Sequence, residues 1–394
     1  FSHGSAQNDM LAIKGREKEG KWFACAKLRP RLDPRELGTW QHSLKQSLNV
    51  ARAVNRMHAA GLAHSDLSYK NVLVDPSSGE ACLIDIDGLV VPGIFPPEVV
   101  GTPDFIAPEV LKTANLPNGG GRILPSAHTD RHALAVLIYM YLFLRHPLRG
   151  GKIHSQDPTE DEDMMMGSAA IFVEHPTDRS NRVNPNWLAD SEKFWGDPAN
   201  IPYTAAGPHL KALFDRAFID GLHNPQARPI AMEWEAALLA TIDMIQPCSN
   251  AKCDIKWYVF DNTSKPRCPA CKAPYVGSLP VLDLYMGHNG KFRAQNKRIM
   301  VWDGQSLFPY HVHTNISPGP ALQEQHKKRV GYFQRVNGAW FLFNEGMDTL
   351  TDVSDPSNKV LVPIAQKIEL KEGVVLQLST EPTGRLIRVT MANV

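Results

Sequence analysis

Two groups of residues stand at spacings that could do chemistry. In Met57-His58-Ala59-Ala60-Gly61-Leu62-Ala63-His64-Ser65-Asp66-Leu67-Ser68-Tyr69-Lys70-Asn71-Val72-Leu73-Val74, a histidine stands two residues before Asp66 and an asparagine five residues after it. In the second group, Cys248-x4-Cys253 and Cys268-x2-Cys271 are two thiol pairs separated by fourteen residues. Each pair can bring two thiolates to one ion, and four thiolates at ~2.3 Å close the tetrahedral shell of a structural zinc, leaving no position open for catalysis. The other two cysteines, Cys25 and Cys82, stand alone; this is no disulfide framework, and it suits a reducing cytoplasm.

The elements that must position these groups follow from the pattern of the chain. Its 394 residues predict two or three domains, and 43% hydrophobic with 21% charged residues excludes a largely disordered or membrane-embedded chain. Lys plus Arg (42) balances Asp plus Glu (41), so no global attraction to nucleic acid or anionic lipid is expected. The longest uncharged apolar run, Ala133 to Leu144, is twelve residues against the ~20 of a membrane span, and predicts a core helix. Leu44, Leu48, Ala51 and Val54 share one face of a helix ending at Gly61. Beyond the cysteines, Arg298–Trp302, Val330–Gln334, Ala339–Phe343, Lys367–Leu370, Val374–Leu378 and Leu386–Thr390 predict short strands. The boundaries give domains at 1–245, 246–276 and 277–394. The acidic run Asp157–Asp163 and the Gly/Asn-rich Asn115–Gly121 are expected to be solvated loops.

The first group resembles the catalytic loop of the protein-kinase family, His-Arg-Asp-Leu-x-x-x-Asn. Further motifs follow in that family's order. Leu83-Ile84-Asp85-Ile86-Asp87-Gly88 stands where the family has Asp-Phe-Gly, and Gly101-Thr102-Pro103-Asp104-Phe105-Ile106-Ala107-Pro108-Glu109 resembles the end of an activation segment. Thr129-Asp130-Arg131-His132-Ala133 resembles the start of the central buried helix, Arg145-His146-Pro147-Leu148 its exit, and Asn224-Pro225-Gln226-Ala227-Arg228-Pro229 the segment whose arginine pairs with the glutamate of Ala-Pro-Glu. The resemblance covers residues 58 to 229. It implies that Asp66 is the catalytic base, that Asn71 and Asp85 hold Mg2+ (or Mn2+) on ATP, that Asp87 is a second ligand or a turn residue, and that Glu109 pairs with Arg228 and Asp130 is structural.

Several departures qualify that reading. Ser65 replaces an arginine that reads phosphate in many members, and Leu89–Val100 holds no Ser, Thr or Tyr, so no switching by phosphorylation of this segment is expected. Lys70, four residues after Asp66, either reaches the γ-phosphate, as in some tyrosine kinases, or is a solvated loop lysine; the substrate hydroxyl stays open, Ser/Thr ahead of Tyr. An amino-terminal kinase lobe needs roughly 70 residues before the hinge. About 40 precede the first helix, with no Gly-x-Gly-x-x-Gly among them. The lobe is therefore expected to be truncated or missing in this sequence, which begins at Phe1. Trp22–Leu28 is expected to be the last strand before the hinge, with Lys27 structural or solvent-facing. Two functions follow: an ATP- and Mg2+-dependent protein kinase, or a pseudokinase scaffold that binds partners without phosphoryl transfer.

The tail predicts an antiparallel β-sandwich. Trp340–Gly346 and Ile368–Ser379 resemble the last strands of forkhead-associated domains, although the early Gly-Arg and Ser-x-x-His of that family are not clearly present; Leu307–His311 occupies a similar place. The tail is expected to bind a partner, phosphorylated or not, and His311 and His313 to alternate along a strand. The fold class is thus multidomain α+β: a helical kinase-like lobe, a four-cysteine zinc ribbon and a forkhead-associated-like sandwich. That order resembles bacterial kinases of the tellurite-resistance-associated phosphorylation triad, which implies a von Willebrand A domain protein and a metal-dependent phosphatase as partners, the former a candidate substrate.

Overall fold

A computed structural model describes residues 5–7, 10–12, 18–91, 101–117, 120–261, 266–288, 291–319 and 322–393. The chain divides into two compact units, one of residues 1–242 with 251–258 and 269–271, the other of 243–250 with 259–268 and 272–394.

The first unit is built on helices: α1 (Trp40–Ala59), α2 (Pro108–Thr113), α3 (Ala127–Phe143), α4 (Pro158–Met166), α5 (Asp190–Gly196), α6 (Gly207–Asp215) and α7 (Ala231–Ile242). A capping box opens α1: the Thr39 hydroxyl accepts from the His42 N–H, and His42 Nδ1 accepts from the Thr39 N–H. Its four predicted apolar residues are buried, and it ends where Gly61 turns to φ 76°, a left-handed position that costs glycine nothing. The chain thereby leaves α1 directly into the loop that carries Asp66.

Helix α3 is buried along nearly its whole length, as its uninterrupted apolar run requires. Tyr139 on α3 is ringed by Phe143, Phe172, Phe214 and Phe218, with centroids 4.9 to 5.8 Å away. Burying aromatic and aliphatic side chains of this size contributes about 1.5 to 3 kcal/mol each. Within the same core Arg145 and Glu174 form a buried pair at 2.8 Å; the Tyr139 hydroxyl donates to Glu174, and Arg145 donates to the carbonyls of Trp195 and Ile201. The polar atoms of the pair are thus satisfied, which a buried charge requires.

A small antiparallel sheet joins Lys18–Glu19, Val72–Asp75 and Glu80–Leu83. The expected strand Trp22–Leu28 is absent: Gly20–Phe23 and Arg29–Arg31 are single 3-10 turns. Phe23, Ala24 and Ala26 are buried there, which is not the alternation a strand needs, and Lys27 is exposed. The acidic run is not a loop either. Asp157 caps α4 by accepting from the Thr159 and Glu160 N–H groups, Pro158 suits the first helical position, and carboxylates in the first turn face the positive end of the helix.

Among the described residues, the two larger antiparallel sheets lie in the second unit. One holds four strands, in the order Ser306–Leu307, Gly331–Val336, Ala339–Asn344, Lys367–Glu369. The other holds six, in the order Val360–Leu361, Thr351–Asp352, Val375–Gln377, Arg385–Asn393, Ser278–His288, Lys291–Met300. Leu282, Leu284, Leu376, Ile387 and Val389 of the larger sheet and Phe333, Trp340 and Leu342 of the smaller are buried, and the Trp340 indole donates to the Ser278 carbonyl. His311 does not alternate with His313 on a strand, because Pro309–Val312 is one helical turn in which His311 Nδ1 accepts from the Phe308 N–H. Among the described residues no helix is long and apolar enough to cross a membrane.

Candidate phosphoryl-transfer site and thiol cluster

The loop after α1 is held from below by one buried carboxylate. Asp130, on the first turn of α3, uses a single oxygen to accept the His64 backbone N–H at 2.8 Å and to meet His58 Nε2 at 3.0 Å. The end of α1 and the start of the loop are therefore fixed to the core helix by one group.

Above this anchor, Asp66 and Asn71 are tied together. The Asn71 amide nitrogen donates to the Asp66 carbonyl at 2.8 Å and to Asp66 Oδ2 at 3.1 Å. Asp66 Oδ1 accepts the Thr102 N–H at 2.6 Å. The carboxylate is thereby oriented from two directions by groups 36 and five residues away in sequence. The Asn71 amide nitrogen is thereby fully engaged by Asp66.

Asp85 reaches the same end of the molecule through the hairpin Val72–Asp75/Glu80–Leu83: the Ile84 N–H donates to the Asn71 carbonyl at 2.9 Å, so Asp85 follows directly on the residue bonded to Asn71. Asp85 has a left-handed backbone, φ 60° and ψ 49°, unusual for a residue with a Cβ. Its side chain and that of Asp87 are exposed, and no hydrogen bond engages the Asp85 carboxylate among the described residues. Lys70 is exposed, with no carboxylate paired to it among the described residues.

Farther along, Glu109 on α2 and Arg228 form a bidentate pair, both contacts 2.7 Å, with Arg228 only 1% exposed. Arg228 also donates to the carbonyls of Gly221, His128 and Leu222, so all of its nitrogens are used. Between Thr102 and α2, Asp104 is bonded by Arg149, which also holds Glu162, and accepts from the Tyr69 hydroxyl at 3.4 Å. Burial and the adjacent Asp104 carboxylate raise the Tyr69 phenol above its ordinary value, keeping it a donor. The bond of Ser65 to the Gly88 carbonyl, at 2.9 Å, was not anticipated from the motifs. Nor was the partnership of Arg145 with Glu174; the only prior signal was the place of Arg145 at the exit of the buried helix.

The four thiols of Cys248, Cys253, Cys268 and Cys271 lie within 4.8 Å of one another, the middle two buried. The Cys268 N–H donates to the Ala273 carbonyl and the Lys272 N–H to the Cys268 carbonyl, closing a tight turn with Lys272 at φ 60°. Four soft donors at this separation are a set that fits tetrahedral Zn2+.

The family model of the protein kinase domain matches residues 25–195. The serine/threonine-protein kinase PknD of Chlamydia abortus is 31% identical over 129 residues, which are 27% of this chain and 13% of that protein. The serine/threonine-protein kinase PkaB of Streptomyces coelicolor is 32% identical over 136 residues, 32% of this chain and 30% of that protein. The atypical protein kinase C of Drosophila melanogaster is 32% identical over 127 residues, 31% of this chain and 19% of that protein. The chain thus spans less than a third of the length of each of these curated relatives.

Proposed function

We propose that this protein is a protein kinase that transfers the γ-phosphate of ATP to a serine or threonine hydroxyl of a protein. The observation that carries the reading is Asp66, a carboxylate oriented by the Asn71 amide and the Thr102 N–H beside a loop bearing a second carboxylate, Asp85. Phosphoryl transfer asks of a protein mainly positioning and charge stabilisation, and this arrangement is built for both. In the proposed roles Asp66 orients the acceptor hydroxyl and takes its proton. The Asn71 amide oxygen and the Asp85 carboxylate hold Mg2+ or Mn2+, with Asp87 as a further donor, and Lys70 faces the γ-phosphate. When bound, the divalent ion supplies the positive charge that phosphate oxygens need. The similarity to serine/threonine-protein kinases supports this choice of acceptor.

A structural zinc held by the four cysteines, as a ribbon, fits the thiol donor set. The two antiparallel sheets of the tail support a forkhead-associated-like partner-binding module. Together with the kinase-like unit they support a reading as a cytoplasmic, bacterial stress-response kinase like that of the tellurite-resistance-associated triad, working with a von Willebrand A domain protein as substrate and a metal-dependent phosphatase. The test is transfer of labelled phosphate from ATP to that protein. Label on serine or threonine supports the reading; no label on the partner or on a generic protein acceptor, with Mg2+ and Mn2+ both supplied, favours the scaffold instead.

A further inference from the structure

Ser65 has φ 66°, in the left-handed region that residues with a Cβ rarely adopt. Two contacts follow from that backbone. Its hydroxyl donates to the Gly88 carbonyl at 2.9 Å, on the turn that begins at Asp85. Its own carbonyl lies under Gly101, where a Cβ would come within 3.2 Å of that oxygen and 3.7 Å of Asp66 Oδ1. Gly101 itself has φ 108°. Next to these contacts, Ala63 and Val90 exchange both backbone hydrogen bonds at 3.0 and 2.9 Å, and Thr102 donates to Asp66. The adjacent residues Ser65 and Asp66 therefore hold the beginning and the end of the stretch between Gly88 and Thr102.

We propose that Ser65 is a positioning residue: its hydroxyl fixes the Asp85–Gly88 turn to the Asp66 loop, so that the Asp85 carboxylate is set for a divalent cation by a neutral, permanently present hydrogen bond. This rests on the kinase reading for its consequence, but the geometry it invokes exists in the free protein. The turn is held at its flanks, by the bonds of Ile84 to Asn71 and His64 on one side and by the Ala63–Val90 pair on the other. Between those flanks Asp85, Ile86, Asp87 and Gly88 are all exposed, Ile86 at 60%, and among the described residues the turn closes on itself through the Leu89 N–H to the Ile86 carbonyl. A single hydrogen bond has leverage on the exposed residues between those flanks. Because Gly88 is exposed, water can satisfy its carbonyl when the hydroxyl is removed, so the substitution spares the fold.

The experiment compares the wild type with Ser65→Ala and Ser65→Asn, asparagine being tolerant of the left-handed backbone and carrying a donor. Two quantities are measured: hydrogen exchange at the Leu89 and Val90 amides in the free protein, and the Mg2+ concentration giving half-maximal phosphate transfer. Loss of the bond in Ser65→Ala is expected to speed exchange at these amides about threefold to tenfold, without changing exchange in the Val72–Leu83 hairpin. The Mg2+ requirement is expected to rise by a similar factor while maximal transfer at saturating Mg2+ changes little, and Ser65→Asn to recover both. Wild-type exchange in Ser65→Ala overturns the proposal, as does faster exchange with an unchanged Mg2+ requirement. If the wild type transfers no phosphate, exchange alone decides whether Ser65 holds the turn, and the kinase reading fails separately.

Discussion

Asp66 and Thr102 are joined by a 2.6 Å hydrogen bond from a backbone N–H to a carboxylate oxygen, across 36 residues of sequence. The other oxygen of Asp66 takes the Asn71 amide. The carboxylate is thus oriented from both sides, as the proposed role of Asp66 towards an acceptor hydroxyl requires. Because the Thr102 donor is main chain, the bond does not depend on the threonine side chain.

Glu109 and Arg228 set a stability prediction. Replacing Glu109 by alanine leaves Arg228 buried with three carbonyl partners but no counter-charge. The expected loss is about 3 kcal/mol, the lower end for a broken buried pair because those carbonyls remain. Urea unfolding of the variant measures it, and a change below about 1 kcal/mol contradicts the pair's importance.

The thiol cluster predicts one zinc per chain. Cys271→Ser removes one of the four sulfur donors, and metal analysis of the purified variant is expected to show zinc well below one equivalent. Titrating the wild type with a chelator at falling pH is expected to release zinc more readily, since protons compete for thiolates. Equal zinc in wild type and variant would exclude these cysteines as its ligands.

Acid is expected to destabilise the first unit through its buried histidines. His146 is held between the Asp104 carbonyl and the Leu148 N–H, and burial pushes its imidazole from 6.5 down to about 4. His132, with neither ring nitrogen bonded among the described residues, is lowered well below its ordinary value, by burial first and then by Arg228. The folded state thus refuses protons that the unfolded chain accepts. Stability is complete above about pH 6.5 and falls as pH descends towards about 4, by on the order of 3 kcal/mol for His146. Melting temperatures at pH 7 and pH 5 check the sign, and a His132→Phe variant is expected to show a shallower loss.

Lys70 carries a prediction that separates chemistry from folding. It is exposed and makes no ion pair among the described residues, so Lys70→Ala is expected to shift the melting temperature by no more than about 1 °C. If Lys70 faces the γ-phosphate, transfer falls tenfold or more in kcat, because the charge interaction strengthens in the transition state. Unchanged transfer would assign Lys70 to the solvated surface.

Part of the layout of the candidate site is legible in the sequence because fixed spacings meet fixed geometry. Asp66 and Asn71 lie five residues apart on one loop, and a hairpin with Val72 opposite Leu83 brings Asp85 back beside them. What sequence does not carry is backbone hand and distant polar pairing. The left-handed Ser65 that reaches Gly88 is invisible in a motif, and Arg145 finds Glu174 only once α3 and the following loops have folded together. Local signals misled where two were in competition. Trp22, Phe23, Ala24 and Ala26 look apolar enough for a strand, but Gly20 and Pro30 bracket them and tight turns win. The Asp157–Asp163 run is largely exposed, as expected, but reads as a loop where a capping aspartate and Pro158 start a helix that buries Met166.

The central claim rests on Asp66, and the most direct measurement is phosphate transfer from ATP by the wild type and by Asp66→Asn at saturating Mg2+, with both proteins shown to melt alike. Asparagine keeps the acceptor for the Thr102 N–H but cannot take a proton, so the account predicts a loss of about a hundredfold or more with the fold intact. Equal transfer by the two proteins, or none by the wild type, would contradict it.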